Sequence, residues 1–556
     1  MRPTSQARDV AASPERSSIG ARTAGIQMPH PRLFWLGIAA ITGGVSAHLP
    51  MFFNAAGMHY RLYGMHVGAA MIVGMAAIAV GIPLTVAGLV SRRPAGATPI
   101  PSVEVNVEEG GIGRAHASLL GVLTIAVVID AMKGSTLGFV APGAAAEYGL
   151  KSAANPHGSV PVALYPLAGV TGMSLGALIW GHFGDRIGRR AGILLAGVIF
   201  IATSICGAMP QFGLNLVMCF WMGIGVGGMI PITFALLAET IPARHRGFAM
   251  VMVGVAVAAA FALASGLASW LIPIYSWRIM WLIGLPTGLV LILLNRFIPE
   301  SPRFLVGMGR TDEAVAVLRR FGARLELKKS TAETAPAPIE DRWRQIVSPR
   351  YAGLTLAICL VGFSAGALTF GFQLWAPSNL PDLGVARGDA AALLRNAALI
   401  AIPVTALIAP AYGYWSSKRT IFAVGAVVAA SLIALAVGGA DLASNRAALY
   451  VLVALPIAGA SSLLMIVAAY SSEVYPTEIR ARGGGAATSA SRIGGVLIIL
   501  AVVFSLVTPS MTTMSIAGAA TVIIALAALV PSAIETRQRS LETITREELS
   551  VAVQRP

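Results

Sequence analysis

The stretch Gly181 to Arg190, GHFGDRIGRR, is a short run of glycine and charge set between two apolar runs, 161–180 and 191–209. A loop that small and basic between two membrane helices is expected at the cytoplasmic face, where Lys and Arg are retained. The composition agrees. With 56% hydrophobic and 12% charged residues and a mean hydropathy of +0.75, the chain carries more apolar surface than a soluble core can bury.

A membrane span needs about 20 apolar residues. The sequence offers fourteen candidate spans: 33–53, 64–90, 117–141, 161–180, 191–209, 214–238, 248–271, 279–298, 352–376, 389–413, 420–440, 447–471, 484–507 and 511–531. An even number puts both termini on one side. With the termini inside, only Arg61, Lys151, Arg278, Arg387 and Arg446 lie outside; Lys133, Arg395 and Arg492 fall within spans, and 32 of the 40 basic residues are cytoplasmic. The net charge of +15 is therefore mostly topology, and no basic face remains to bind nucleic acid. The expected location is a cell membrane, as a multi-pass protein of the bacterial inner-membrane type.

The chain also repeats itself. ALLAETIPARHRG contains Glu239, Pro242 and Arg246, and YSSEVYPTEIRARG contains Glu473, Pro476 and Arg480, so both carry E-x-x-P-x-x-x-R, offset by 234 residues. A matched motif at the same point of two six-helix sets is the mark of duplication in transporters whose halves rock about a central site. The second-half counterpart of the opening loop, GYWSSKRT at 413–420, has lost the Asp and the glycine spacing.

These motifs carry a resemblance. G-x-x-x-D-R-x-G-R-R resembles the signature loop between core helices 2 and 3 of the major facilitator superfamily of secondary transporters. PESPRFL at 299–305 followed by GRTDEA, with ETRQRSLETIT at 535–545, resembles the sugar-porter and metabolite:proton symporter branches. The resemblance covers about residues 115 to 545. It implies an all-α membrane protein, two six-helix bundles making 12 core helices, with two extra amino-terminal helices bringing the total to 14.

The expected segments are a disordered cytoplasmic tail (1–32), an extra two-helix hairpin (33–91), a linker (92–116), a first bundle (117–298), a cytoplasmic inter-bundle loop (299–350), a second bundle (351–531) and a cytoplasmic tail (532–556). Within the loop, TDEAVAVLRRFG has helical apolar spacing and KKSTAETAPAPIEDR reads as a linker. The first 32 residues lack the pattern of a removable signal peptide.

An ionisable residue inside a span costs about 2.5 to 3.5 kcal/mol or more and usually faces a cavity or a partner. Four need explaining: Asp130 and Lys133 at i and i+3 in core helix 1, hence on one face, Arg395 in core helix 8 beside Asn396, and Arg492 in core helix 11. The helix 1 run VVIDAMKGSTLGFVAPG resembles the aromatic acid:proton symporter pattern D-x-x-D-x-x-x-x-G-x-x-x-P, with Asp130, Gly138 and Pro142 in place and Lys133 where the second Asp stands. Two readings stay open: Asp130 couples protons while Lys133, with Arg395 or Arg492, attracts a substrate carboxylate; or Asp130 and Lys133 form a structural pair. Trp221, Gln373 and Trp375 are further cavity candidates, with packing as the alternative. Cys219 occupies the place where many relatives carry an Arg in helix 4.

At the loop end, the resemblance implies a latch of the outward-open state. Gly181, Asp185, Arg186, Gly188, Arg189 and Arg190 form it with Glu239, Arg246, Glu473 and Arg480. Asp185 would face a helix amino terminus of the other half and the arginines would pair with Glu239 or Glu473; the alternative is that these charges only set the topology.

The expected function is secondary transport, import of a small organic anion such as an aromatic carboxylate by proton symport. A sugar or other neutral-metabolite porter is one alternative; a non-transporting sensor or assembly factor, docking a protein partner through residues 33–91, is another. No catalytic motif, cofactor or metal set survives placement on the topology, so enzymatic activity is not expected. The leading pair's His48, Met51, Met58, His59, Met65 and His66 read as packing rather than a Cu(I) site, and Cys206, Cys219 and Cys359 as reduced apolar thiols.

Overall fold

The computed structural model describes residues 29–90, 104–106, 112–152, 155–158, 160–322, 324–326, 345–386, 388–475, 480–504 and 509–536. The expected amino- and carboxyl-terminal tails lie outside the described residues beyond 29 and 536, as do the linker KKSTAETAPAPIEDR and most of 92–111.

The leading pair is α1 (Pro31–Met58) and α2 (Ala69–Leu89). The first bundle is α3 (Arg114–Tyr148), α4 (Leu164–Ile187), α5 (Arg189–Ala208), α6 (Phe212–Thr240), α7 (Ala243–Tyr275) and α8 (Ile279–Phe297). Two short helices follow, α9 (Pro302–Gly307) and α10 (Thr311–Arg320). The second bundle is α11 (Ala352–Asn379), α12 (Ala390–Trp415), α13 (Ser417–Gly438), α14 (Arg446–Val474), α15 (Arg480–Val503) and α16 (Met511–Leu529). Thirteen of these are long and apolar enough to span a membrane among the described residues, and α4 completes the fourteen expected. Among the described residues the one sheet is a short antiparallel ribbon, β1 (Glu104–Asn106) against β2 (Arg324–Glu326), which ties the stretch before α3 to the inter-bundle loop.

One expectation is corrected at the opening motif. Gly181 to Arg190 is not an open loop: α4 runs to Ile187, α5 starts at Arg189, and the break is Gly188 alone, at φ +98°. An L side chain rarely adopts that backbone, and a Cβ there would strike the Glu300 carboxylate.

Small residues set how closely helices approach where lipid leaves no hydrophobic drive to associate. In the leading pair, Gly37 and Gly44 on α1 meet Gly81 and Gly74 on α2, and Gly88, a further seven residues on, meets the backbone of Phe34; a Cβ on Gly44 would lie 2.5 Å from the Gly74 carbonyl oxygen. This hairpin rests on α5 of the first bundle. The two bundles meet along α4 with α15, α7 with α12 and α14, and α3 with α11. At the last seam a Cβ on Gly138 would lie 2.5 Å from the Leu374 carbonyl oxygen, so only glycine permits that contact.

Candidate substrate and coupling site

Helix α3 carries Asp130 and Lys133 into the interior, where their side chains part. The shared face expected from i, i+3 spacing does not make them partners. Asp130 is fully buried, and neither of its carboxylate oxygens has a hydrogen-bond partner. The cation whose charge it feels is Arg492, on α15 of the other bundle. Arg492 donates from Nη1 to Met173 Sδ on α4 at 3.5 Å, so it bridges the seam between bundles without closing an ion pair on Asp130.

Lys133 turns the other way. It is 2% exposed, and its Nζ donates to the Trp281 carbonyl at 3.4 Å, next to Ser204 and Gly284. That is the interior of the first bundle, between α3, α5 and α8. A long flexible stem allows this divergence, which residue spacing alone does not reveal.

Arg395 lies at a different seam. Its Nε donates to Asn396 Oδ1 at 3.0 Å, and its stem packs over Gly266 of α7. Gln373 and Trp375 are buried on α11, Gln373 as the last residue of a π-type turn, Leu368–Gln373, and Trp375 just after it; Trp375 Nε1 is a buried donor without a partner. Wide turns of this kind occur often at functional sites. Trp221 is 50% exposed and packs edge-on against Phe220.

The end of the bundles that carries Gly188 holds a second polar site. Glu300 accepts hydrogen bonds from the backbone N–H of Arg189 at 2.7 Å, Arg190 at 3.3 Å and Ser301 at 2.9 Å, capping the start of α5. An anion at a helix amino terminus is stabilised by the unpaired N–H groups and the helix dipole. Arg189 pairs with Glu239 at 3.5 Å, Ser301 Oγ donates to Glu239, and Arg190 Nη2 donates to Asn295.

The second bundle repeats this plan. Glu535 accepts from Ser417 N at 3.0 Å, from Ser417 Oγ at 2.6 Å and from Ser416 Oγ, capping α13; Thr536 donates to Glu473 at 2.7 Å, and Tyr412 donates to it at 2.8 Å. Glu300–Ser301 and Glu535–Thr536 are thus matched pairs, 235 residues apart. Sequence reasoning found both motifs but not their equivalence, which only the shared partners Glu239 and Glu473 disclose. Gly181 lies within α4, and the side chains of Asp185, Arg186, Arg246 and Arg480 lie outside the described residues.

At the opposite end sits a cluster the sequence reading missed. Arg278 is 0% exposed and grips Glu147 through Nη2 at 2.8 Å and Nε at 3.1 Å, while Nη1 donates to the carbonyls of Gly207 and Met209. Glu147 also accepts Trp277 Nε1 at 2.9 Å and two backbone N–H groups of the leading hairpin, Leu62 at 2.8 Å and Tyr63 at 3.1 Å. The hairpin is therefore fastened to the ends of α3 and α5 and to the α7–α8 turn. The available signal was an acid at the last turn of a span and an arginine in a short turn, both at one membrane face.

Comparison with known proteins fits this architecture. The family model of the Major Facilitator Superfamily matches residues 123–499. The niacin transporter NiaP of Acinetobacter baylyi is 27% identical over 450 residues, covering 79% of this chain and 98% of the relative. The gallate transporter of Pseudomonas putida is 29% identical over 401 residues, covering 69% of this chain and 84% of the relative. Among solved structures, the proton:xylose symporter XylE bound to 6-bromo-6-deoxy-D-glucose aligns with a TM-score of 0.61 at 18% identity, over 77% of this chain and 98% of that one. A likeness at that identity speaks for the fold alone.

Proposed function

Because the chain belongs to the Major Facilitator Superfamily and is a membrane transporter of that family, we propose that it imports a small aromatic carboxylate together with a proton, by rocking its two bundles about the Asp130–Arg492 seam. The observation that carries this reading is an unbonded buried carboxylate on α3, with a guanidinium of the other bundle reaching the methionine that packs one turn from it. Two opposite charges held near each other without contact form a site that a third charge can reorganise. When Asp130 is ionised, its field holds Arg492. Protonation of Asp130 releases Arg492, whose planar fork suits a carboxylate of the substrate. The site's charge is then the same with proton and substrate both bound as with neither.

The two named relatives are transporters of niacin and gallate, both aromatic carboxylates, which supports the substrate class. Gln373 and Trp375 are placed by this reading beside the ring or its hydroxyls, and Arg395 with Asn396 at a secondary seam that moves during rocking. The capped helices at the Arg189 end act as a latch for one state, with both termini on the cytoplasmic side. A neutral metabolite or sugar is the second reading, favoured by Gln373, a neutral polar side chain buried on α11.

The test is equilibrium binding of nicotinate, gallate, benzoate and xylose to the purified protein and to Arg492→Gln. An aromatic acid bound by the parent and at least tenfold more weakly by the variant is the expected result. Binding of xylose alone, or carboxylate binding unchanged in Arg492→Gln, overturns the reading.

A further inference from the structure

Helices α4 and α6 approach so closely that glycine is needed on both sides. A Cβ on Gly223 would lie 2.9 Å from the Met173 backbone nitrogen, and one on Gly227 would run into the Met173 carbonyl oxygen. The backbone of Met173 is thereby pinned against α6. Its side chain, 1% exposed, reaches α3, where a Cβ on Gly134 would lie 3.3 Å from Met173 Cε, and α15, where its sulfur meets Arg492 Nη1. Three helices of two bundles therefore converge on one thioether, one turn from Asp130.

That position has a consequence for the charges. Asp130 and Arg492 attract each other across the seam, yet Asp130 keeps both oxygens unbonded. A guanidinium beside a buried carboxylate would ordinarily close to a hydrogen-bonded pair. A thioether is only a weak acceptor, so the sulfur contact itself does little to hold the cation. Its volume, held by the α4–α6 glycines, touches Arg492 on one side and α3 at Gly134, one turn from Asp130, on the other.

We propose that Met173 is a positioning residue: a spacer that keeps Arg492 from closing on Asp130 and so leaves the guanidinium open to the substrate carboxylate. This rests on the reading of Asp130 and Arg492 given above. Removing the spacer lets Arg492 collapse onto Asp130 and compete with the substrate. Leucine fills the same volume without sulfur and keeps the site open.

Binding of labelled nicotinate and gallate is measured for the parent, Met173→Ala, Met173→Leu, Arg492→Gln and the double variant Met173→Ala/Asp130→Asn. The expected result is affinity at least tenfold weaker in Met173→Ala, within about threefold of the parent in Met173→Leu, and restored to near the parent in the double variant, where no carboxylate is left to capture Arg492. A merely structural defect would not be relieved by changing Asp130. Parent-like affinity in Met173→Ala, a leucine variant as weak as alanine, or a double variant as weak as Met173→Ala each overturns the spacer role. If Arg492→Gln also binds as the parent does, the anion-site reading itself has failed; if it alone is weak, that reading stands and only the spacer falls.

Discussion

Replacing Glu147 with alanine is expected to loosen the leading hairpin and to cost more stability than any surface change. The side chains of Arg278 and Glu147 are 0% and 5% exposed, and the carboxylate collects donors from Leu62, Tyr63, Trp277 and Arg278. Removing one partner of a buried ion pair costs about 3 to 5 kcal/mol, because the other charge stays buried without compensation. Arg278 keeps its bonds to the Gly207 and Met209 carbonyls and its stacking over Trp277 at 4.6 Å, which argues for the lower part of that range. Adding Arg278→Met to Glu147→Ala removes the orphaned charge and is expected to recover about half of the loss. Thermal unfolding in detergent, followed by tryptophan fluorescence, reads the stability. A protease site inserted between residues 92 and 100 reads the docking, since after cleavage the hairpin stays with the parent core and separates from the variant. If Glu147→Ala melts within a degree of the parent and its cleaved hairpin stays bound, the clasp is not what holds the pair, and glycine-mediated packing on α5 suffices.

Three further outcomes follow from the geometry. Lys133→Met places an apolar side chain of similar length among α3, α5 and α8, and is expected to leave carboxylate affinity within about threefold of the parent, as a buried charge with one long hydrogen bond contributes little net stabilisation; a tenfold loss of binding would show that Lys133 reaches the substrate. Gly138→Ala drives a methyl group into the Leu374 carbonyl oxygen, so the α3–α11 seam should open and a single cysteine introduced at Ala141 in a Cys206, Cys219 and Cys359 triple-serine background should label faster with an impermeant maleimide than with Gly138 intact. Burial pushes the Glu300 carboxyl above the usual glutamate range in spite of its backbone donors; its contribution to stability is therefore complete below about pH 4.3 and is lost as pH rises through the raised value, so melting temperature should fall with pH more steeply in the parent than in Glu300→Gln.

Much of this architecture was legible because lipid imposes a strict rule on sequence: spans must be long, apolar and nearly free of charge. The fourteen segments, the repeat of Glu239 and Glu473, and the oddity of Asp130 and Arg492 all follow from it. What stayed hidden depends on where side chains turn once helices pack. Lys133 and Asp130 share a face by spacing, yet only the neighbours of α3 send one into the first bundle and the other to the seam. The motif around Gly188 looked like a loop because glycine and charge are loop-like in composition; the Glu300 cap lets both flanking helices run to within one residue of each other. Met173 could not be singled out, since a methionine in an apolar run carries no signal until Arg492 and Gly134 are seen against it. Glu147 and Arg278 were visible as charges at one face, but their joint hold on the hairpin needs the tertiary structure.

The central claim is that Asp130 carries the proton that drives an organic anion inward. Uptake of labelled nicotinate and gallate into proteoliposomes, with and without an inward proton gradient, tests it in the parent and in Asp130→Asn. The account predicts that the parent accumulates an aromatic acid only with the gradient, while Asp130→Asn exchanges the same acid across the membrane but no longer concentrates it. Gradient-driven accumulation that survives in Asp130→Asn would contradict it.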